Sequence, residues 1–423
     1  MSESSSHTNA THPLSEDSSR STEKNSTSAQ RTRRRRRRRP SGTPTPQPTR
    51  NQKSQNRPQR RILSQEEKAE REAKRLQYQA ERAEELARSP YIAMTIHSSG
   101  IHPSTAHIVA IDALLLSPTG EIVDEYYTVI NPVGDPGPQH LHGLTLVEIA
   151  EGSRFEQVLK PLGRLIDGRT LIVNNAPLSW GFIHNEARCT MAKAARANRS
   201  RNNRNRSRRR HRVGHVPKPK GIIDTLSIAR RQAKFLPDIR IRTVARALGL
   251  ETAAATATVE RARQPAADVA REETTLVADM FFHAQGQFPD AIAITTPDTL
   301  RADAFGLQRS AIRVDAIEAS AQYENPGIYS PDTGLIAGME VVVAPEITLD
   351  PDIIIEAIVA AELFYSEKVT RQTSLVVCNI TDPLTGKAMH ASRKGIPLIS
   401  DTDFLELVKT VQPGTTIAPA EAS

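Results

Sequence analysis

Arg31 and the uninterrupted run Arg33, Arg34, Arg35, Arg36, Arg37, Arg38 and Arg39 put eight guanidinium groups within nine residues. Like charges at that density repel one another in any compact state and attract polyanions, and neutralising phosphate needs charge density, not a fold. From Arg188 to Gly221 there is no acidic residue, and Arg201, Arg204, Arg206, Arg208, Arg209 and Arg210 fall within that stretch. Both segments read as nucleic-acid-binding, with a DNA or RNA phosphate backbone as the implied partner. A solubilising tail is the plainer alternative for the first.

Other reactive residue types are sparse. Cys189 and Cys378 cannot build a disulfide framework, and no Cys/His cluster has zinc spacing. His97, His102, His107, His140, His142 and His184 match no ligand signature and read as scattered surface or turn residues, so no metal site is expected. Ser179 could pair with a histidine as a nucleophile, but no third residue is identifiable to orient the base.

The 423 residues leave room for two domains plus tails, and the net charge of +8 is unevenly placed. Residues 1–63 carry 15 Lys/Arg against 4 Asp/Glu, and residues 184–223 carry 13 against 1. The two segments thus hold +11 and +12, leaving −15 on everything else. No apolar run approaches a membrane span and the first residues lack a secretory pattern, so the expectation is a cytoplasmic protein without a membrane partner, the nucleoid being a compatible location.

Residues 1–62, rich in Ser, Thr, Pro and Arg, cannot bury enough surface to offset the entropy of ordering and read as a disordered basic tail. Residues 63–89 form a charged, solvent-exposed helix, with Ser64 and Glu67 as a capping box and Glu70 four residues before Lys74; a spacer role fits its lack of a heptad seam. From Tyr91, three strand-like runs predict a meander with Ser117–Gly120 as a turn. Helices are predicted over about 145–151, 153–167, 178–187, 222–234, 239–249 and 264–284, with a short strand at 171–175. The order implies an α/β domain over 90–286, interrupted by a disordered basic insertion at 188–220. Residues 287–333 read as a linker, 334–412 as a small parallel α/β domain and 413–423 as a tail. In that second unit the predicted strands are 338–344, 368–370, 373–379 and 396–400.

The first domain resembles the DEDD-type 3′–5′ exonuclease family, in its epsilon proofreading-subunit-like form, over residues 91 to about 284. The resemblance rests on Ser98-Ser-Gly-Ile-His-Pro103, Asn131-Pro132, His142-Gly-Leu-Thr145, Val173-Asn-Asn-Ala176 and Ile223-Asp-Thr-Leu226, in order and at compatible spacing. It implies a ribonuclease H-like fold in which four carboxylates hold two divalent cations and a histidine is the general base. The matching positions here are Thr95 and His97 on the first strand, Ser179 for the second Asp, and Arg263 with Asp268 in the last motif. Asn174 stands where the second motif has a histidine. Only Asp268 keeps its family type, which implies a catalytically lost exonuclease fold retained for binding, without a cofactor.

Residues 334–411 resemble a BRCT domain through Gly338-Met-Glu-Val-Val-Val343, Thr373-Ser-Leu-Val-Val377, Gly386-Lys387-Ala388 and Gly395-Ile-Pro-Leu-Ile-Ser400. By that resemblance Lys387 is the phosphate- or partner-binding residue. The hydroxyl-glycine pair of phosphate-binding members is Ala344-Pro345 here, which favours docking of a protein partner over capture of a phosphopeptide. The favoured reading is a nucleic-acid-binding protein of DNA replication or repair. An active Mg²⁺- or Mn²⁺-dependent 3′–5′ exonuclease and an RNA-associated binding factor are the alternatives.

Overall fold

The computed structural model describes residues 64–132, 134–204, 212–232, 234–256, 258–379 and 382–417, with side chains omitted at 200–204. The tail of residues 1–62 and four of the arginines of the second cluster, Arg206, Arg208, Arg209 and Arg210, lie outside these.

Helix α1 (Gln65–Arg88) precedes strands β1 (Tyr91–Ser98), β2 (Ile108–Leu116) and β3 (Ile122–Val129). These three form the expected antiparallel meander. Gly120 closes the β2–β3 turn at φ +94°, where a Cβ would also lie 3.2 Å from the Phe282 ring. Helices α2 (Leu146–Glu151) and α3 (Phe155–Ile166) lead to β4 (Thr170–Val173), helix α4 (Ala176–Arg204) and β5 (Gly221–Asp224). Then come α5 (Thr225–Arg231), α6 (Ile241–Ala247), α7 (Val259–Ala262), α8 (Ala266–Gln287) and the edge strand β6 (Ile294–Thr295).

The sheet runs β3-β2-β1-β4-β5-β6, with β4 and β5 parallel to β1 and β6 antiparallel to β5. Side chains alternate between its faces. Ile92, Met94, Ile111, Leu171, Val173 and Ile222 pack with α3 and α4 through Leu162, Trp180 and Ile183, whereas Ala93, Leu114, Ile172 and Ile223 pack with Val277, Met280 and Phe281 of α8. A mixed α/β sheet with this strand order and helices on both faces is consistent with the ribonuclease H-like exonuclease architecture that the resemblance implies.

Three expectations need correction in this domain. Residues 222–224, predicted as the start of a helix over 222–234, belong to strand β5, since so short a buried run carries no period to distinguish the two. The basic insertion is not a loop throughout: α4 continues through it to Arg204, because the Ala-rich turns at 192–197 propagate a helix nucleated on the core. Helix α1 is not a free spacer. Its last turns dock through Arg82, which donates to the carbonyls of Arg164 and Asp167 at 2.7 Å, and through Glu85, which receives the fully buried Arg169 at 3.1 Å.

The predicted linker is also folded. It holds an antiparallel hairpin, β7 (Leu300–Ala302) and β8 (Gln308–Ser310), then α9 (Ala311–Glu318). The hairpin touches α4 and α9 packs on the next helix, with Val314 and Ala316 buried. The final unit comprises β9 (Glu340–Val343), α10 (Pro351–Ala360), β10 (Phe364–Ser366), β11 (Thr373–Val377), α11 (Gly386–Arg393), β12 (Leu398–Ile399) and α12 (Asp401–Leu407). Its strands are all parallel, in the order β10-β9-β11-β12. The second strand falls on Phe364–Ser366 in place of the predicted 368–370; Thr370 instead turns its hydroxyl onto the buried Glu340 at 3.0 Å. Residues 413–417 are not a tail, since Thr416 bridges to Tyr323 and Thr415 accepts from Glu324.

Candidate nucleic-acid site at the strand ends

Two adjoining hollows of about 270 and 820 Å³ open where β1 and β4 end, walled by α8, by the approach to α6 and, for the larger, by residues 139–143. They share Ile96, Arg240, Ala255, Arg261 and Glu273. Open α/β sheets bind ligands at the carboxyl ends of their strands, where backbone groups leave the ladder and loops diverge.

Thr95 and His97 point to the same face of β1, as strand periodicity requires. Thr95 is buried, with its hydroxyl 2.6 Å from that of Thr274 and 3.4 Å from the Ala270 carbonyl, so it ties β1 to α8. His97 Nε2 has no hydrogen-bond partner and lies 3.8 Å from Glu273 Oε2. Burial pushes the His97 ring pKa down, against an upward pull from Glu273, so the ring is neutral near pH 7. The other Glu273 oxygen accepts from Arg261 Nη2 at 2.5 Å. Ser179, on α4, donates to the Asn174 carbonyl at 3.0 Å, while the Asn174 side chain bridges Ile239 and Thr225.

Thr95, Ser179 and Asn174 thus line the smaller hollow and His97 the larger. Arg263 and Asp268 are exposed and line neither; the residues α8 turns toward the cleft are Ala266, Val269 and Glu273. The cross-strand partner of Thr95 is the buried Asp112, and that carboxylate is bound by Arg271. Asp224, capping α5, accepts from the backbone of Asn175 and Leu226 and from Ser227, and burial still pushes its carboxyl up.

Octahedral Mg²⁺ or Mn²⁺ needs several oxygen ligands, with carboxylates to supply charge. Glu273 is the one carboxylate lining either hollow and it is held by Arg261, so this donor set does not fit a two-metal site. Among the described residues no group of three or more His, Cys, Asp or Glu is placed to hold a metal ion.

The histidines are less uniformly superficial than expected. His142, which lines the larger hollow, is 4 % exposed, its Nδ1 accepting from the Leu144 N–H at 3.1 Å while Nε2 is buried without a partner. His107 binds Glu186 at 2.6 Å and His102 stacks on Phe305. The cleft residues Arg240, Arg261 and Glu273 carried no sequence signal for a shared site, because only the packing of distant elements brings them together, whereas His142 belongs to the His142-Gly-Leu-Thr145 fragment of the resemblance.

Lys387 sits away from this cleft at the start of α11. Its ammonium donates to the Val343 carbonyl at 2.9 Å and lies 3.4 Å from Glu367, whose two oxygens Arg313 of α9 also clamps. Burial pushes the Lys387 pKa down, partly offset by Glu367. The cation expected to face a phosphate or partner is engaged internally.

No protein-family model matches this sequence, and neither does any curated protein. Among solved structures, a 3′-exonuclease that recognises the histone mRNA stem-loop is similar at 14 % identity and a TM-score of 0.36, over 58 % of this chain and 79 % of that one. Exonuclease I is similar at 12 % identity and a TM-score of 0.32, over 48 % of this chain and 42 % of its own. A zinc-bound E. coli exonuclease I complex with single-stranded DNA gives 13 % identity and a TM-score of 0.33 with the same coverage. The chain spans under half the length of these exonuclease I structures.

Proposed function

We propose that this chain binds nucleic acid through an exonuclease-like domain that has lost its nuclease chemistry, and that it serves DNA replication or repair in the cytoplasm. The observation that carries the reading is the cleft itself. Where two cations would need carboxylates it presents Thr95, His97 and Ser179, and its lone acid, Glu273, is spent on Arg261. Arginine-rich segments supply the affinity, through contacts to phosphate that read no sequence.

The order of the four parallel strands supports reading the last unit as BRCT-like. With Lys387 covered by Val343 and Glu367, we assign that unit to docking a protein and not to phosphate capture. Binding to labelled DNA and RNA should weaken steeply between about 50 and 200 mM salt, as phosphate contacts release counterions. Salt-insensitive binding would remove the arginine segments from the account. Crosslinking to cellular nucleic acid followed by DNase or RNase distinguishes the DNA reading from the RNA one.

A further inference from the structure

On the side of the first domain away from the strand-end cleft, α1, α3, α4 and residues 212–215 enclose a groove of about 800 Å³. Lys160 of α3 and Arg212 are exposed at its rim, and among the described residues neither has a carboxylate partner. Arg164, 67 % exposed in its side chain, also lines the groove and touches Glu85 at 3.5 Å. The one acid lining the groove, Asp167, is taken up by His215 Nε2 and the Lys218 N–H, both at 2.7 Å. Excess cation in a concave surface with low-dielectric walls focuses a positive field.

The walls add to this. Helix α4 presents Met191, Ala194 and Ala195 to the groove, and the exposed Arg196 and Arg199 beside them have no acidic neighbour along that stretch of chain. The small alanines leave the floor open. On the opposite wall stands Tyr78, 58 % exposed, one helical turn before Arg82, with Arg75 and Arg71 continuing the same face of α1 at three- and four-residue steps. A large aromatic standing in water beside a basic groove offers an unpaired base a stacking surface.

We infer that the groove between α1 and α4 binds single-stranded nucleic acid, with Lys160, Arg164 and Arg212 on its phosphates and Tyr78 against a base. The inference rests on the nucleic-acid-binding reading above and gives it a place on the folded body. RNA and DNA share the required chemistry, an anionic backbone with exposed bases.

Fluorescence anisotropy on the full chain, with a labelled single strand of about 20 nucleotides as RNA, as DNA and as duplex DNA, tests it. Lys160→Gln with Arg212→Gln should weaken single-strand binding by about ten-fold and reduce the salt slope by about 1.4, or about 0.7 for each phosphate no longer neutralised. Tyr78→Ala should cost about ten-fold more, and a 4-thiouridine or 4-thiothymidine probe should crosslink at Tyr78. Tighter binding of the RNA or the DNA arm identifies the source without altering the site. Unchanged affinity and slope in the double variant would overturn the groove while leaving the wider reading standing. A wild-type chain that binds no strand would overturn both. Preference for duplex, or displacement by poly-glutamate more readily than by unlabelled oligonucleotide, would also overturn it, the latter in favour of an acidic protein. Because all three residues are on the surface, matching circular dichroism spectra and melting temperatures exclude misfolding as the cause.

Discussion

Asp112 and Arg271 form a forked ion pair between β2 and α8: Arg271 Nε lies 3.1 Å from each carboxylate oxygen and Nη2 lies 2.7 Å from Oδ1. Asp112 is fully buried and stands directly across the sheet from Thr95, and Arg271 also reaches Glu125. The buried acid paired across the sheet with Thr95 therefore fastens a helix to the sheet and is not available to a cation. Removing one partner of a buried pair leaves the other charge uncompensated, at a cost of about 3 kcal/mol. Asp112→Asn should accordingly lower the melting temperature sharply, and Asp112→Asn with Arg271→Leu should recover much of the loss. Equal melting of Asp112→Asn and wild type would show that the pair contributes nothing.

Glu85 gives the docking of α1 a pH signature. Burial acts to raise its carboxyl, but hydrogen bonds and charge from Arg82 and Arg169 outweigh this and hold it at about 2, against 4.5 for a free glutamate. A depressed folded pKa adds stability above the unfolded value, and that addition fades as pH falls through the folded one. Glu85→Gln should thus melt below wild type from pH 7 to about 5, with the gap closing between about 4.5 and 2. A gap that stays constant down to pH 2 would remove Glu85 as the counter-ion of the buried Arg169.

Lys387 should give no gain in phosphopeptide binding. Calorimetry with phosphoserine peptides is expected to show the same weak or absent heat for wild type and Lys387→Ala, since Glu367 already neutralises the ammonium that a phosphate would need. Affinity that depends on Lys387 would assign the last unit to phosphate capture after all. Arg313→Ala, which strips Glu367 of its bidentate partner, should lower stability by about 2 kcal/mol or more.

What the sequence revealed followed from local period. Short β-branched and apolar runs at Tyr91–Ser98, Ile108–Leu116 and Ile122–Val129, with turn residues between the second and third, made the meander legible, and the apolar spacing of α3 and α8 marked them as helices. Strand β5 and the second half of α4 were not legible, because a four-residue apolar run fits either state and arginine-rich composition masks helix propensity. The exonuclease motifs brought Thr95, His97 and Ser179 to the cleft, but the remaining acid of those motifs, Asp268, is turned to solvent. Glu273, five residues on, reaches His97 instead. Helical phase decides that difference, since five residues advance the helix by about 500°, or about 140° net. Arg240 and Arg261 enter the site through tertiary placement alone, whereas His142 stands in the His142-Gly-Leu-Thr145 fragment of the resemblance.

The proposed loss of nuclease chemistry is tested most directly by incubating the purified full chain with 5′-labelled single-stranded DNA, mismatched duplex DNA and single-stranded RNA, each with Mg²⁺ or Mn²⁺. With Thr95, His97 and Ser179 at the ligand positions and Glu273 held by Arg261, every 3′ end should stay intact, in wild type as in Asp268→Ala. Metal-dependent shortening from the 3′ end that Asp268→Ala abolishes would contradict the account and establish a working exonuclease.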